Sequence, residues 1–126
     1  MSFVIFDIET RIDKALVRST QFRGEDLTDE EAYQRMRHDQ DPSGATSPFF
    51  PLSYHVPISI ALGAVDDEYV LQQVEVLGSD ELGEPGIVNA FWERLERFDG
   101  TLVSFNGRGF DLPVLELQAL RVGCPS

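Results

Sequence analysis

The chain is poor in the residues that build covalent cross-links or soft-metal sites: among 126 residues it has one cysteine, Cys124, and two histidines, His38 and His55. A single thiol excludes an internal disulfide and a cysteine-built zinc site. The two histidines are far apart in sequence and form no ligand spacing. No apolar run approaches the ~18 residues that a membrane-spanning helix needs, and acids appear by position 7 where a signal peptide would be basic and apolar. No glycine-rich loop ending in lysine and serine or threonine is present, which excludes a P-loop nucleotide site. What remains is the expectation of one cytoplasmic domain over residues 1–126 without a membrane partner, its 42% hydrophobic content ample for a single core.

Positive charge is also scarce. Ten basic residues face 22 acids, a net charge of −12. A polynucleotide-binding surface usually carries a basic footprint, so this balance argues against a long duplex partner and fits a short single-stranded end held at a local site. Most of the excess, including Glu25, Asp26, Asp29, Glu30, Glu31 and the run Asp66-Asp67-Glu68, reads as solvated surface.

The amino terminus carries the strongest signal. Phe3-Val4-Ile5-Phe6 is apolar on both faces and ends in Asp7-Ile8-Glu9-Thr10, which predicts a strand buried in a sheet covered on both sides. Alternate side chains of a strand share a face, so Asp7 and Glu9 point the same way, roughly 6.6 Å apart along the axis. Two like charges so placed repel unless a cation lies between them, and hard oxygen ligands favour Mg²⁺ or Mn²⁺.

Near the other end, a short β-rich run from Leu102 to Phe105 breaks at Asn106-Gly107-Arg108-Gly109. Asp111 then precedes a helical pattern, with Pro113 in its first turn and Leu112, Leu115, Ala119 and Val122 at helical spacing. Asp111 is therefore expected as the N-cap.

Between these ends, a polar segment with Arg11, Lys14, Arg18 and Arg23 leads to Thr28-Asp29-Glu30-Glu31, a capping box that predicts a helix through about Arg37. A turn-rich loop follows, whose apolar Phe49 and Phe50 are expected to pin it to the core. Alternation from Ile58 to Ala64, the turn at Asp66-Asp67 and a run from Tyr69 to Leu77 predict a hairpin. After a loop from Gly78 to Gly86, Ile87, Val88, Phe91, Leu95 and Phe98 predict a helix with an exposed Glu93–Arg97 pair. The strand after it is expected parallel to the first.

With both segments in view, the chain resembles the DEDD-type (DnaQ-like) 3′-5′ exonucleases, and among them the predicted exonucleases related to the proofreading domain of B-family DNA polymerases. Asp7-Ile8-Glu9-Thr10 is similar to their first motif, and the stretch from Asn106 to Leu115 to their second, N-x-x-x-F-D-x-P-x-L. The resemblance implies an α/β fold, a ribonuclease H-like mixed sheet with flanking helices, in which Asp111 comes beside Asp7 and Glu9. It implies two Mg²⁺ or Mn²⁺ ions held by Asp7, Glu9 and Asp111, and a nucleic-acid partner with a single-stranded 3′ end touched by Thr10, Asn106 and Phe110. Arg11 and Arg108 stand as candidates for phosphate contacts. The family's third motif, an acidic residue four positions after a tyrosine or histidine, has no counterpart after Asp111. The expectation is thus a domain that stops before its last strand and helix, with an exposed sheet edge open to a second copy. Two alternatives to an active exonuclease follow, a noncatalytic ribonuclease H-like interaction module and an inactive fragment.

Overall fold

The computed structural model describes residues 2–42, 50–104 and 107–123. Strands β1 (Ser2–Ile12), β2 (His55–Val65), β3 (Leu71–Gly78) and β4 (Gly100–Val103) accompany helices α1 (Lys14–Gln21), α2 (Asp29–Gln40), α3 (Ser79–Glu96) and α4 (Leu112–Val122). The strands form one mixed sheet in the order β3-β2-β1-β4, with β3 antiparallel to β2 and β4 parallel to β1. This mixed α/β architecture is compatible with the ribonuclease H-like arrangement expected from sequence. The chain forms two compact units, Met1–Arg11 with Val56–Ser126, and Ile12–His55.

In the sheet unit, the β2–β3 hairpin is closed by Asp66, whose carboxylate accepts from the backbone N–H groups of Glu68 and Val70 at 2.9 and 3.0 Å. A short polar side chain that bonds its own backbone in this way substitutes for a turn hydrogen bond. Tyr69 follows with a left-handed φ of 64°, so β3 starts at Leu71, two residues later than the hydrophobic run suggests. The loop expected over residues 78–86 is instead helical. It is broken at Gly83 (φ 74°, ψ 161°), and Pro85 then stands in the first turn of the second segment, where its missing N–H goes unnoticed.

Helix α3 covers one face of the sheet. Val4, Phe6 and Ile8 of β1, Ile60 and Leu62 of β2 and Leu77 of β3 are buried, as are Ile87, Val88 and Phe91 of the helix. Phe6 and Phe91 meet at 5.4 Å between ring centres, in the tilted geometry aromatic pairs prefer. Trp92 Nε1 donates to the Leu115 carbonyl at 3.3 Å, tying α3 to α4. The expected Glu93–Arg97 pair is not formed among the described residues. Arg97 ends the helix, and Arg94, one turn earlier, is bound instead by Glu75 of β3 at 2.7 Å. Gly100 opens β4 directly against β1: a methyl group there would lie 2.3 Å from the Ser2 carbonyl oxygen.

The expectation that β1 is covered on both faces fails. Its other face carries Ile5, 47% exposed, and across β4 the paired Val103, 40% exposed. Continuous hydrophobicity led to that expectation, but a residue's burial depends on what packs on its face, and only one face of this sheet carries α3.

The helical unit has its own core, built from Val17, Phe22, Ala32, Met36, Phe50 and Tyr54. Phe50 is buried and stacks on Tyr33 at 5.4 Å, as the loop-pinning expectation requires, whereas Phe49 lies outside the described residues. The capping box of α2 is complete: Thr28 Oγ1 accepts from Glu31 N–H at 3.1 Å and Glu31 Oε1 from Thr28 N–H at 3.0 Å. Helix α1 is an addition to the sequence reading. Its signal was Asp13, buried, whose carboxylate accepts from Leu16 N–H at 3.1 Å and caps the helix. Ion pairs Lys14–Glu30 and Arg18–Asp29 tie α1 to α2, and Arg35–Glu25 ties α2 to the segment before it.

Candidate active site

Strand alternation places the acidic pair. Even-numbered β1 residues face α3, so Asp7 and Glu9 stand with Ile5 on the opposite face, and both are exposed. Neither side chain makes a hydrogen bond or ion pair among the described residues. Two neighbouring carboxylates facing water are the donor type that Mg²⁺ accepts, since it commonly keeps several waters and takes only one or two protein carboxylates beside substrate phosphates. Thr10 is half-buried and, by the same alternation, on the other face from the pair.

Asp111 has a different setting. It ends a π-helical turn (Gly107–Asp111) that runs straight into α4. Asp111 occupies the N-cap position of α4, as expected, but its φ and ψ of −59° and −54° are helical and its side chain makes no capping hydrogen bond. The carboxylate instead accepts from Ser104 Oγ at 2.8 Å, and the residue is only 5% exposed. A buried carboxylate is costly unless hydrogen-bonded, and Ser104, just past β4, supplies that bond. Spacing alone could not reveal this, because serine at the end of a strand is as common in a plain turn as in a buried pair.

Among the described residues no three His, Cys, Asp or Glu side chains form a group that could hold a metal ion. The structure therefore presents an exposed pair, Asp7 and Glu9, and a separate buried carboxylate, Asp111. Phe110 is half-buried on the turn before Asp111. Asn106 and the Arg108 side chain lie outside the described residues. Arg11, a candidate for phosphate, is held by Glu84 in a two-pronged pair at 2.6 and 2.8 Å.

The titration behaviour of nearby groups follows from their contacts. The Arg94 hydrogen bonds hold the Glu75 carboxyl below the usual glutamate range, and Glu75 in turn raises the Arg94 guanidinium. In the helical unit, the Thr28 backbone N–H lowers Glu31 through the capping box.

The sheet order and the flanking helices define the class: a mixed α/β domain with a four-stranded mixed sheet. Residues 47–126 match the model of a family described as a predicted 3′-5′ exonuclease related to the exonuclease domain of PolB, and the chain belongs to that family. The matched segment contains Asp111 and the whole stretch from Asn106 to Leu115, and begins after Asp7 and Glu9. No curated protein and no solved structure matches the chain. Among the described residues no helix is long and apolar enough to cross a membrane.

Proposed function

We propose that this chain acts as a metal-dependent 3′-5′ exonuclease, hydrolysing the terminal phosphodiester bond of a nucleic acid with a single-stranded 3′ end. Family membership supports the activity class. The observation that carries the site is the exposed pair Asp7 and Glu9 on one face of β1, in the stretch beyond Ile5, which pairs with Val103, the last residue of the parallel strand β4; ligands of open α/β sheets gather beyond the carboxyl ends of strands. In this reading the pair holds Mg²⁺ or Mn²⁺, two ions in the full site. Bound ions of this kind activate a water and stabilise the leaving oxygen of an in-line displacement. Asp7 and Glu9 would hold the ions, Glu9 would also orient the 3′ end, and Asp111 would serve as a third ligand if its carboxylate left the Ser104 hydroxyl. Thr10, Asn106 and Phe110 contact the terminal nucleotide.

The test is release of labelled mononucleotides from a 3′-labelled single-stranded oligonucleotide in Mn²⁺. Asp7→Ala and Glu9→Ala should each lose at least about a hundredfold, the scale of removing one group that stabilises transition-state charge, while changing stability by no more than about 0.5 kcal/mol, as exposed sites do. Equal turnover by wild type and Asp7→Ala removes the site.

The Ser104–Asp111 bond favours a second reading, a noncatalytic interaction module whose carboxylates are not gathered. That reading predicts no rise in Tm with Mn²⁺, since a ligand that binds the native state must stabilise it.

A further inference from the structure

The open face of the sheet is continuous across all four strands. Val103 pairs with Ile5, and Val76 and Val74 pair with Ala61 and Gly63. The backbone bridges β2 to β1, the Cβ position of Gly63 lying 3.9 Å from the Ile5 carbonyl oxygen. Ile5, Val74, Val76 and Val103 are 47, 61, 62 and 40% exposed, an apolar patch of the sort that marks an interaction site when rimmed by polar groups. The rim is acidic at both ends. Asp7 and Glu9 stand at one end; at the other, Tyr69 of the Glu68-containing turn stacks on Phe3 at 5.5 Å, and Glu68 is exposed.

We infer that this face docks an amphipathic helix from a partner protein, with an apolar stripe on the valines and isoleucine and basic residues at both ends of the stripe. The dimensions suit one helix. Three strand spacings give a width of roughly 14 Å, against a helix diameter of about 10–12 Å. From Phe3 to Glu9 the strand runs about 20 Å, the length of roughly 13 helical residues. Charge selects the occupant: a second copy of this chain brings another −12 to a face already bordered by acids, whereas basic flanks meet them favourably. The helix-in-groove mode of recognition uses such stripes. Asp7 and Glu9 are also the metal ligands of the exonuclease reading, so helix and ions would compete for them; the test is run in EDTA, where its failure leaves the exonuclease reading untouched.

The probe is a fluorescein-labelled 14-residue leucine/lysine amphipathic helix, titrated with the full chain and followed by anisotropy. The controls are a leucine/glutamate helix with the same stripe and an oligolysine of equal charge. Binding of the leucine/lysine helix alone is expected. Val76→Glu adds an acid and removes apolar contact, so it should weaken binding about tenfold, the scale of one buried valine, while Leu120→Glu on exposed α4 leaves it unchanged. Equal binding of oligolysine, equal binding of the glutamate helix, or unchanged or tighter binding by Val76→Glu overturns the proposal. So does sedimentation as a dimer that Val76→Glu disperses, which would make a second copy the occupant.

Discussion

The two faces of β1 begin with nearly the same chemistry and end differently. Val4, Phe6 and Ile8 face α3 and are buried, whereas Phe3 and Ile5 face away, with Ile5 47% exposed. The alternation of a strand creates two faces of equal hydrophobic character, and only the helix that lands on one of them turns hydrophobicity into stability. The open face keeps its apolar residues and its two carboxylates in contact with water. Packing is concentrated on one side, and the other stays open to solvent.

The sharpest way to test this contrast is to truncate each face. Phe91→Ala, at a fully buried ring touching Phe6 and Trp92, should cost about 3–5 kcal/mol in urea unfolding. Ile5→Ala on the open face should cost under about 1 kcal/mol; comparable losses would mean that the open face is covered in solution. Gly100→Ala should come next, at about 1–3 kcal/mol, because the added methyl meets the rigid Ser2 carbonyl at 2.3 Å and no flexible side chain can move aside. Its expected signature is lost amide protection at the β1–β4 pairing; unchanged hydrogen exchange there would contradict the close approach.

Ser104→Ala should destabilise by about 1–3 kcal/mol by leaving a buried carboxylate short of its donor. Under the exonuclease proposal the same change frees Asp111, so Mn²⁺ should recover part of the lost Tm in the variant. No metal-dependent recovery would leave Asp111 a purely structural residue.

The smallest effect lies at Glu75 and Arg94, a half-exposed pair of the kind worth about 0–1 kcal/mol. Because pairing lowers the folded-state Glu75 value, its contribution is complete above the ordinary glutamate value of about 4.3 and disappears as pH falls through the lower folded value. The difference in stability between wild type and Arg94→Met should therefore shrink as the medium is acidified below that value. A gap that stays constant down to strong acid would show that the pair contributes through packing alone.

Much of the fold was legible because local physics wrote it into short segments. Thr28 and Glu31 announced α2 through reciprocal hydrogen bonds within four residues, and the spacing of Ile87, Val88 and Phe91 announced the buried stripe of α3. Helix α1 was harder to read because its cap, Asp13, works against a polar segment whose apolar residues are few. Within the site, the positions of Asp7 and Glu9 on one face followed from alternation alone.

The role of Asp111 was not legible, since an aspartate before a helix signals a cap in most contexts, and only the return of Ser104 after β4 gave its carboxylate another partner. The sequence by itself determined which side chains share a face, because a strand's period of two and a helix's of 3.6 are properties of the backbone. Only the tertiary structure decided which face would be buried and which carboxylate would be held, because burial and hydrogen bonding between distant segments depend on the element that arrives there.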